Sequence, residues 1–135
     1  MSVYLLATLD TKGHEAAYLR DLLLGHGVAV KVVDVGCLGE PQVPADVSRQ
    51  AVFQAAGQSL ELLQVSADRG LAVTAATSGA AALISEHFHQ RDVSGVIGIG
   101  GSAGTTIATA AMRALPIGVP KLMISTLASG SVRPW

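Results

Sequence analysis

An alternation of strand-like and helix-like stretches predicts an α/β chain: four parallel strands, ordered 2-1-3-4, between layers of helices. Three observations predict it. Both ends of the chain read strand–helix–strand with short connections, the pattern of a parallel pair joined by a right-handed crossover. The strand-like runs are short and mostly apolar, as in strands covered on both faces. A glycine-rich stretch, Gly98-Ile99-Gly100-Gly101-Ser102-Ala103-Gly104-Thr105-Thr106, joins one such run to an alanine-rich helical run.

Composition agrees with one packed domain spanning residues 1–135, large enough to bury most of its apolar surface. Half of the residues are hydrophobic and 14% are charged, which argues against disorder. A formal net charge of −1 gives no basis for electrostatic binding of nucleic acid. The single cysteine, Cys37, cannot close an internal disulfide and fits a reducing compartment. The first apolar run, Val3 to Leu6, is too short for a signal peptide or a membrane span. The expectation is a cytoplasmic protein with neither nucleic acid nor membrane as a partner.

The elements follow in order. Val3 to Leu9 reads as a buried strand closed by Asp10-Thr11-Lys12-Gly13. A helix follows over about His14 to Leu24, with Ala16, Leu19 and Leu23 on one face and Gly25 and Gly27 as its stop. Val28 to Val35 is β-branched and reads as the second strand. Gly36, Gly39, Pro41 and Pro44 make Val35 to Ala45 a loop. Ser48 then caps a short helix to Ala56, and Ser59 caps another containing Leu60, Leu62 and Leu63. A longer helix runs from about Ala67 to Gln90, with Ala76, Ala80, Leu83 and Phe88 near one stripe. Val93 to Ile99 is the third strand, Ile107 to Leu115 a helix, and Lys121 to Ser125 the fourth strand after Pro116, Gly118 and Pro120.

In a sheet of this order the chain leaves strands 1 and 3 in opposite directions. The crevice beyond their carboxyl ends is the usual ligand site. Three polar loops reach it: Leu9–Gly13, Gly98–Thr106 and Ser125–Gly130. A glycine-rich turn into a helix lets a ligand approach the backbone, and the helix start then presents N–H groups and the positive dipole end to an anion. Ser102, Thr105 and Thr106 add hydroxyls, and Gly100, Gly101 and Gly104 keep the cradle open. Thr11, Thr126, Ser129 and Gly130 extend it from the neighbouring loops.

Other residues fit two roles each. Lys12 supplies a cation to a phosphate or is a solvated lysine. Asp10 holds magnesium through water, orients a ribose, or caps the following helix. Asp34 ends strand 2 where a dinucleotide-binding fold places its ribose acid, but here the glycine-rich loop belongs to strand 3. No Gly-Lys-Ser/Thr opens the helix, so this is not a Walker A loop. His87 and His89 lie two apart on a helix and face different ways, and Cys37 has no histidine at a useful spacing. No nucleophile or general base is assignable, so the enzyme question stays open.

Taken together, Thr8-Leu9-Asp10-Thr11-Lys12-Gly13, Asp34-Val35-Gly36, Gly98-Ile99-Gly100-Gly101-Ser102 with Gly104-Thr105, and Ser125-Thr126 to Ala128-Ser129-Gly130 carry a likeness. In these the chain resembles the ATP-binding family of the tomato tobamovirus resistance protein over nearly its whole length. The resemblance implies a Rossmann-like N-terminal domain that binds ATP, commonly joined to a second, barrel-like domain. Two departures stand out. Ala103 replaces a glycine common in that family, and the chain stops at Arg133-Pro134-Trp135, where such proteins run on.

The functional expectation is therefore a nucleotide-binding domain for ATP, with magnesium as its possible companion. The alternatives are an NAD(P)-dependent oxidoreductase domain and a non-catalytic protein-interaction module. A homo-oligomer, a dimer, is also expected, contacting through a sheet edge or through the charge-poor Ala67–Ala82 stretch.

Overall fold

The computed structural model describes residues 1–61 and 68–128. In order, the chain forms β1 (Ser2–Ala7), α1 (Leu9–Gly25), β2 (Val30–Asp34), α2 (Arg49–Ala55), α3 (Arg69–His89), β3 (Val93–Gly100), α4 (Ser102–Arg113) and β4 (Lys121–Ser125). The strands make one sheet in the order β2-β1-β3-β4, with every pair parallel. The order expected from the sequence holds, and the fold is a three-layer, Rossmann-like α/β arrangement.

Alternation along the strands divides the core in two. Tyr4 and Leu6 of β1, Val33 of β2 and Val96 of β3 face α2, α3 and α4, where they meet Val52, Phe53, Ala76, Ile84 and Ile107. Leu5, Ala7, Val32 and Ile99 face the other way, onto Leu9 and Ala16 of α1. Each fully buried large side chain, such as Leu5, Leu6 or Phe53, contributes about 1.5–3 kcal/mol of burial free energy. The second face carries less cover. Val96 is buried as the apolar run predicts, but Ile97 on the α1 side is only half-buried. Leu122 and Ile124, on the same side of the edge strand β4, remain 54% and 45% exposed.

The charge-poor stretch of α3 has an internal explanation. Ala72, Ala75, Ala76, Gly79 and Ala80 are buried, and α3 packs against α2 and α4. A Cβ at Gly79 would come within 2.0 Å of the Val52 carbonyl oxygen, so the small residues let α2 approach closely. The apolar side of α3 is thus used within the chain. Among the described residues no helix is long and apolar enough to cross a membrane.

Several boundaries move. The stops read from glycine hold: at the end of α1, Gly27 N–H donates to the Leu24 carbonyl and Val28 N–H to the Leu23 carbonyl, with Gly27 at φ 75°. Ser48 caps α2, accepting from Ala51 N–H at 3.3 Å. The helix starts differ more. The first strand ends at Ala7 and α1 begins at Leu9, so Asp10 to Gly13 are its first turns and not a loop. The reason is a cap from far along the chain: Leu9 N–H donates to Asp34 Oδ1 at 3.2 Å. Helical geometry breaks locally at Lys12, at φ −126° and ψ 19°. Likewise α4 begins at Ser102, so the connection from β3 contracts to Gly101. The second strand starts at Val30 and α3 ends at His89, each slightly inside the expected span. Of the short helix expected after Ser59, Leu60 and Glu61 are helical, while Leu62 and Leu63 lie outside the described residues.

Candidate functional site

At the carboxyl ends of β1 and β3 lies a cavity of about 190 Å³. Three helices begin around it. From α1 and its cap come Thr8, Asp10, Thr11 and Lys12; from α3, Arg69 and Val73; from α4 and its cap, Gly101 to Gly104. Cys37 and Leu38 close it from the loop after β2. A parallel sheet places the helices' amino ends along one edge, and the first-turn N–H groups of each helix have no partner within it. Gly101 caps α4 with no side chain to take those groups.

The glycines divide by role. A Cβ at Gly98 would lie 2.5 Å from the Ala108 Cβ, and one at Gly100 would lie 2.6 Å from the Gly104 backbone. Both are needed for α4 to pack on β3. A Cβ at Gly101 would meet only Thr126 Oγ1, at 3.7 Å, an ordinary contact. None of these glycines has a positive φ, so close approach and not turn geometry explains Gly98 and Gly100.

The polar side chains are partly committed. Thr8 and Thr11 pair their hydroxyls at 2.8 Å. Lys12 Nζ donates to Glu15 Oε1 at 2.9 Å, and that bond holds the Glu15 carboxyl below its usual range. Asp10 does not cap its own helix. Its Oδ2 accepts from Leu38 N–H and Gly39 N–H at 3.3 and 3.1 Å, fastening the loop after β2. Its Oδ1 is buried with no hydrogen-bond partner among the described residues. Burial pushes the Cys37 thiol up, and the Asp10 charge adds to it, so the thiol stays protonated near neutral pH.

Of the residues expected at the site, Asp10, Thr11, Lys12, Gly101, Ser102 and Gly104 meet in this cavity. Gly100 and Thr126 lie across the Gly100–Gly101 peptide, lining an apolar groove that also includes Lys12. Thr105 and Thr106 face neither. Thr105 Oγ1 pairs with Ser125 Oγ at 2.6 Å, joining α4 to the end of β4, and Thr106 Oγ1 donates to its own helix at Ser102 O. Ser129 and Gly130 lie outside the described residues. Asp34 is not free for a ribose: it is 2% exposed and paired with Arg49. His87 Nδ1 meets Tyr4 Oη, and His89 Nδ1 meets the Ser85 carbonyl.

Sequence reading missed Thr8 and Arg69. Thr8 immediately precedes the polar run at Asp10. Arg69 was legible as the one cation in the first turn of a helix otherwise poor in charge, but only the fold brings that helix start to the sheet edge.

The comparisons with known proteins agree over the whole chain. Residues 1–135 match the model of the uncharacterised protein family UPF0261, N-terminal domain. A UPF0261 protein of Clostridium tetani is 41% identical over 133 residues, covering 98% of this chain and 33% of the relative. One from Mesorhizobium japonicum is also 41% identical, over 98% of this chain and 32% of its own length. The ToMV resistance protein Tm-1(GCR237) of Solanum lycopersicum is 33% identical over 148 residues, 98% of this chain and 20% of that protein. The chain thus spans about a third of the length of its bacterial relatives. Matched over its full length, it belongs to the UPF0261 family, as an N-terminal domain of that family.

Proposed function

We propose that this domain binds the phosphates of ATP or a related nucleotide in the cavity between β1 and β3. The observation that carries the reading is the meeting of three helix amino ends at one small cavity whose lining includes two cationic side chains, Lys12 and Arg69. Backbone N–H groups of α4's first turn serve as donors to phosphate oxygens, and Gly101 leaves room for them. The Ser102 and Thr11 hydroxyls stand beside them. The Arg69 guanidinium suits two-point contact with a phosphate, and Lys12 acts as a point charge once it leaves Glu15. That exposed pair is worth little, so releasing it costs little. Magnesium would travel with the phosphates, for which one or two protein carboxylates suffice, and Asp10 is the carboxylate in the lining.

The reading is one of binding. A dinucleotide site is disfavoured, because Asp34, the candidate ribose acid, is buried against Arg49. Thermal unfolding with ATP and magnesium, inorganic triphosphate, or NAD(P)H separates the readings. Ligand at a hundred times its Kd stabilises by about 2.7 kcal/mol, so a clear rise in Tm with ATP and triphosphate is expected, and none with NAD(P)H. Stabilisation by NAD(P)H alone, or by no phosphate compound, overturns the proposal.

A further inference from the structure

From the structure we infer that the apolar groove beside the phosphate cavity takes a purine base, so that one nucleotide lies across the sheet edge with its base on the α1 side. This rests on the phosphate reading above. The groove measures about 390 Å³ and runs between α1 and the uncovered side of β3 and β4. Its apolar lining comes from Tyr18, Leu19, Ile99 and Ile124. Ile99 is 7% exposed and Leu19 half-buried, whereas Tyr18 and Ile124 are 72% and 45% exposed. The first two form a floor and the second two its rim.

Size and continuity connect the two spaces. At 190 Å³ the cavity at Gly101 is below the roughly 300–1,000 Å³ that small-molecule sites occupy. It has room for phosphates but not for a nucleoside as well. Lys12 belongs to both linings, and Gly100 of the groove is bonded directly to Gly101 of the cavity. A ligand anchored at Gly101 through its phosphates therefore reaches the groove by passing Lys12. Joined, the two spaces reach the size a whole nucleotide requires. The groove's chemistry suits a base: a flat aromatic ring packs on Ile124 and Tyr18, and Glu15 at the edge accepts from a ribose hydroxyl or an exocyclic amine. Among the described residues α1 is the one helix on this face.

Calorimetric titration of ATP and of inorganic triphosphate into the wild-type protein, Tyr18→Ala, Ile124→Asp and Gly101→Val tests this. The wild type is expected to bind ATP more tightly than triphosphate. Tyr18→Ala and Ile124→Asp should weaken ATP by about tenfold or more while leaving triphosphate unchanged, and Gly101→Val should lose both. Tyr18 is exposed, so its variant keeps the fold, and circular dichroism verifies each protein. Equal affinity for ATP and triphosphate, or ATP binding untouched in both groove variants, overturns the base site and leaves the phosphate reading standing. If the wild type binds neither compound, the phosphate reading itself fails and the base site falls with it.

Discussion

Arg49 donates from Nε to Asp34 Oδ2 at 2.6 Å, and the two side chains are only 6% and 2% exposed. The other oxygen of Asp34 accepts from Leu9 N–H at 3.2 Å and Gly36 N–H at 2.9 Å. Arg49 also donates from Nη1 to the Gly39 carbonyl. One carboxylate thereby ties the end of β2 to the start of α1, to the following loop and to α2. Arg49→Ala leaves that charge buried without its main partner. The expected loss is about 3–5 kcal/mol of stability, a fall in Tm of roughly 10 °C or more, read by thermal or urea unfolding. Arg49→Lys, which keeps the charge but not the forked geometry, should fall between. Wild-type stability in Arg49→Ala would mean that the pair contributes nothing net.

Adjacent glycines should behave oppositely. A Cβ at Gly100 meets the Gly104 backbone at 2.6 Å, so Gly100→Ala forces α4 away from β3 and lowers Tm. Gly101→Val has space beyond Thr126 and should fold normally yet lose ATP binding. Circular dichroism and calorimetry on the pair read both effects. A folded Gly101→Val protein that binds ATP like the wild type would remove Gly101 from the site.

Lys12→Ala removes one cation but no backbone donor. A charge-assisted contact is worth roughly 1.5–3 kcal/mol, so ATP affinity should fall by about ten- to a hundredfold without vanishing. Arg69→Ala should weaken ATP by a similar factor, with Arg69→Lys recovering part of it. Stability should barely change for Lys12→Ala, because its pair with Glu15 is exposed. Undiminished affinity in both alanine variants would remove the cations from the site.

At the opposite edge of the sheet, Tyr4 donates its hydroxyl proton to Asp92 Oδ2 at 2.7 Å, and its oxygen lies 2.8 Å from His87 Nδ1. A phenol has one proton to give, so His87 carries hydrogen on Nδ1. Burial, followed by the bond to Asp92, pushes Tyr4 up from 10.0 to about 12. The folded state thus favours the neutral phenol. That contribution is complete below pH 10 and is lost as pH rises toward 12. In Tyr18→Phe protein, which isolates Tyr4, tyrosinate absorbance should rise with a midpoint at about 12, and Asp92→Asn should lower it. An ordinary midpoint in folded protein would contradict the buried bond.

Among the described residues no strand pairs with the outer edge of β4, and with Leu122 54% exposed this edge fits self-association to a dimer. Light scattering at high micromolar concentration should give twice the monomer mass, and Leu122→Lys should return it to monomer. A monomer throughout that range would exclude contact at this edge.

By itself the sequence determined the parallel sheet, its 2-1-3-4 order and the edge that carries the candidate site. Those depend on local signals: apolar strand runs, glycine stops such as Gly27, and a glycine-rich junction after β3. The same signals brought Asp10, Lys12 and Gly101 to one crevice. What only the tertiary structure decided depends on contacts between distant residues. The start of α1 waits on Asp34, and Asp34 turns out to be a structural tie to Arg49, with no local pattern to say so. Asp34-Val35-Gly36 keeps its glycine because a Cβ there would sit 2.8 Å from both Arg49 Nη2 and Asp10 Oδ1. Arg69 joins the cavity, and Thr105 leaves it for Ser125, because helix packing sets where a side chain ends up once its element is formed. Local propensity names the elements, but packing between them chooses which polar groups remain free for a ligand.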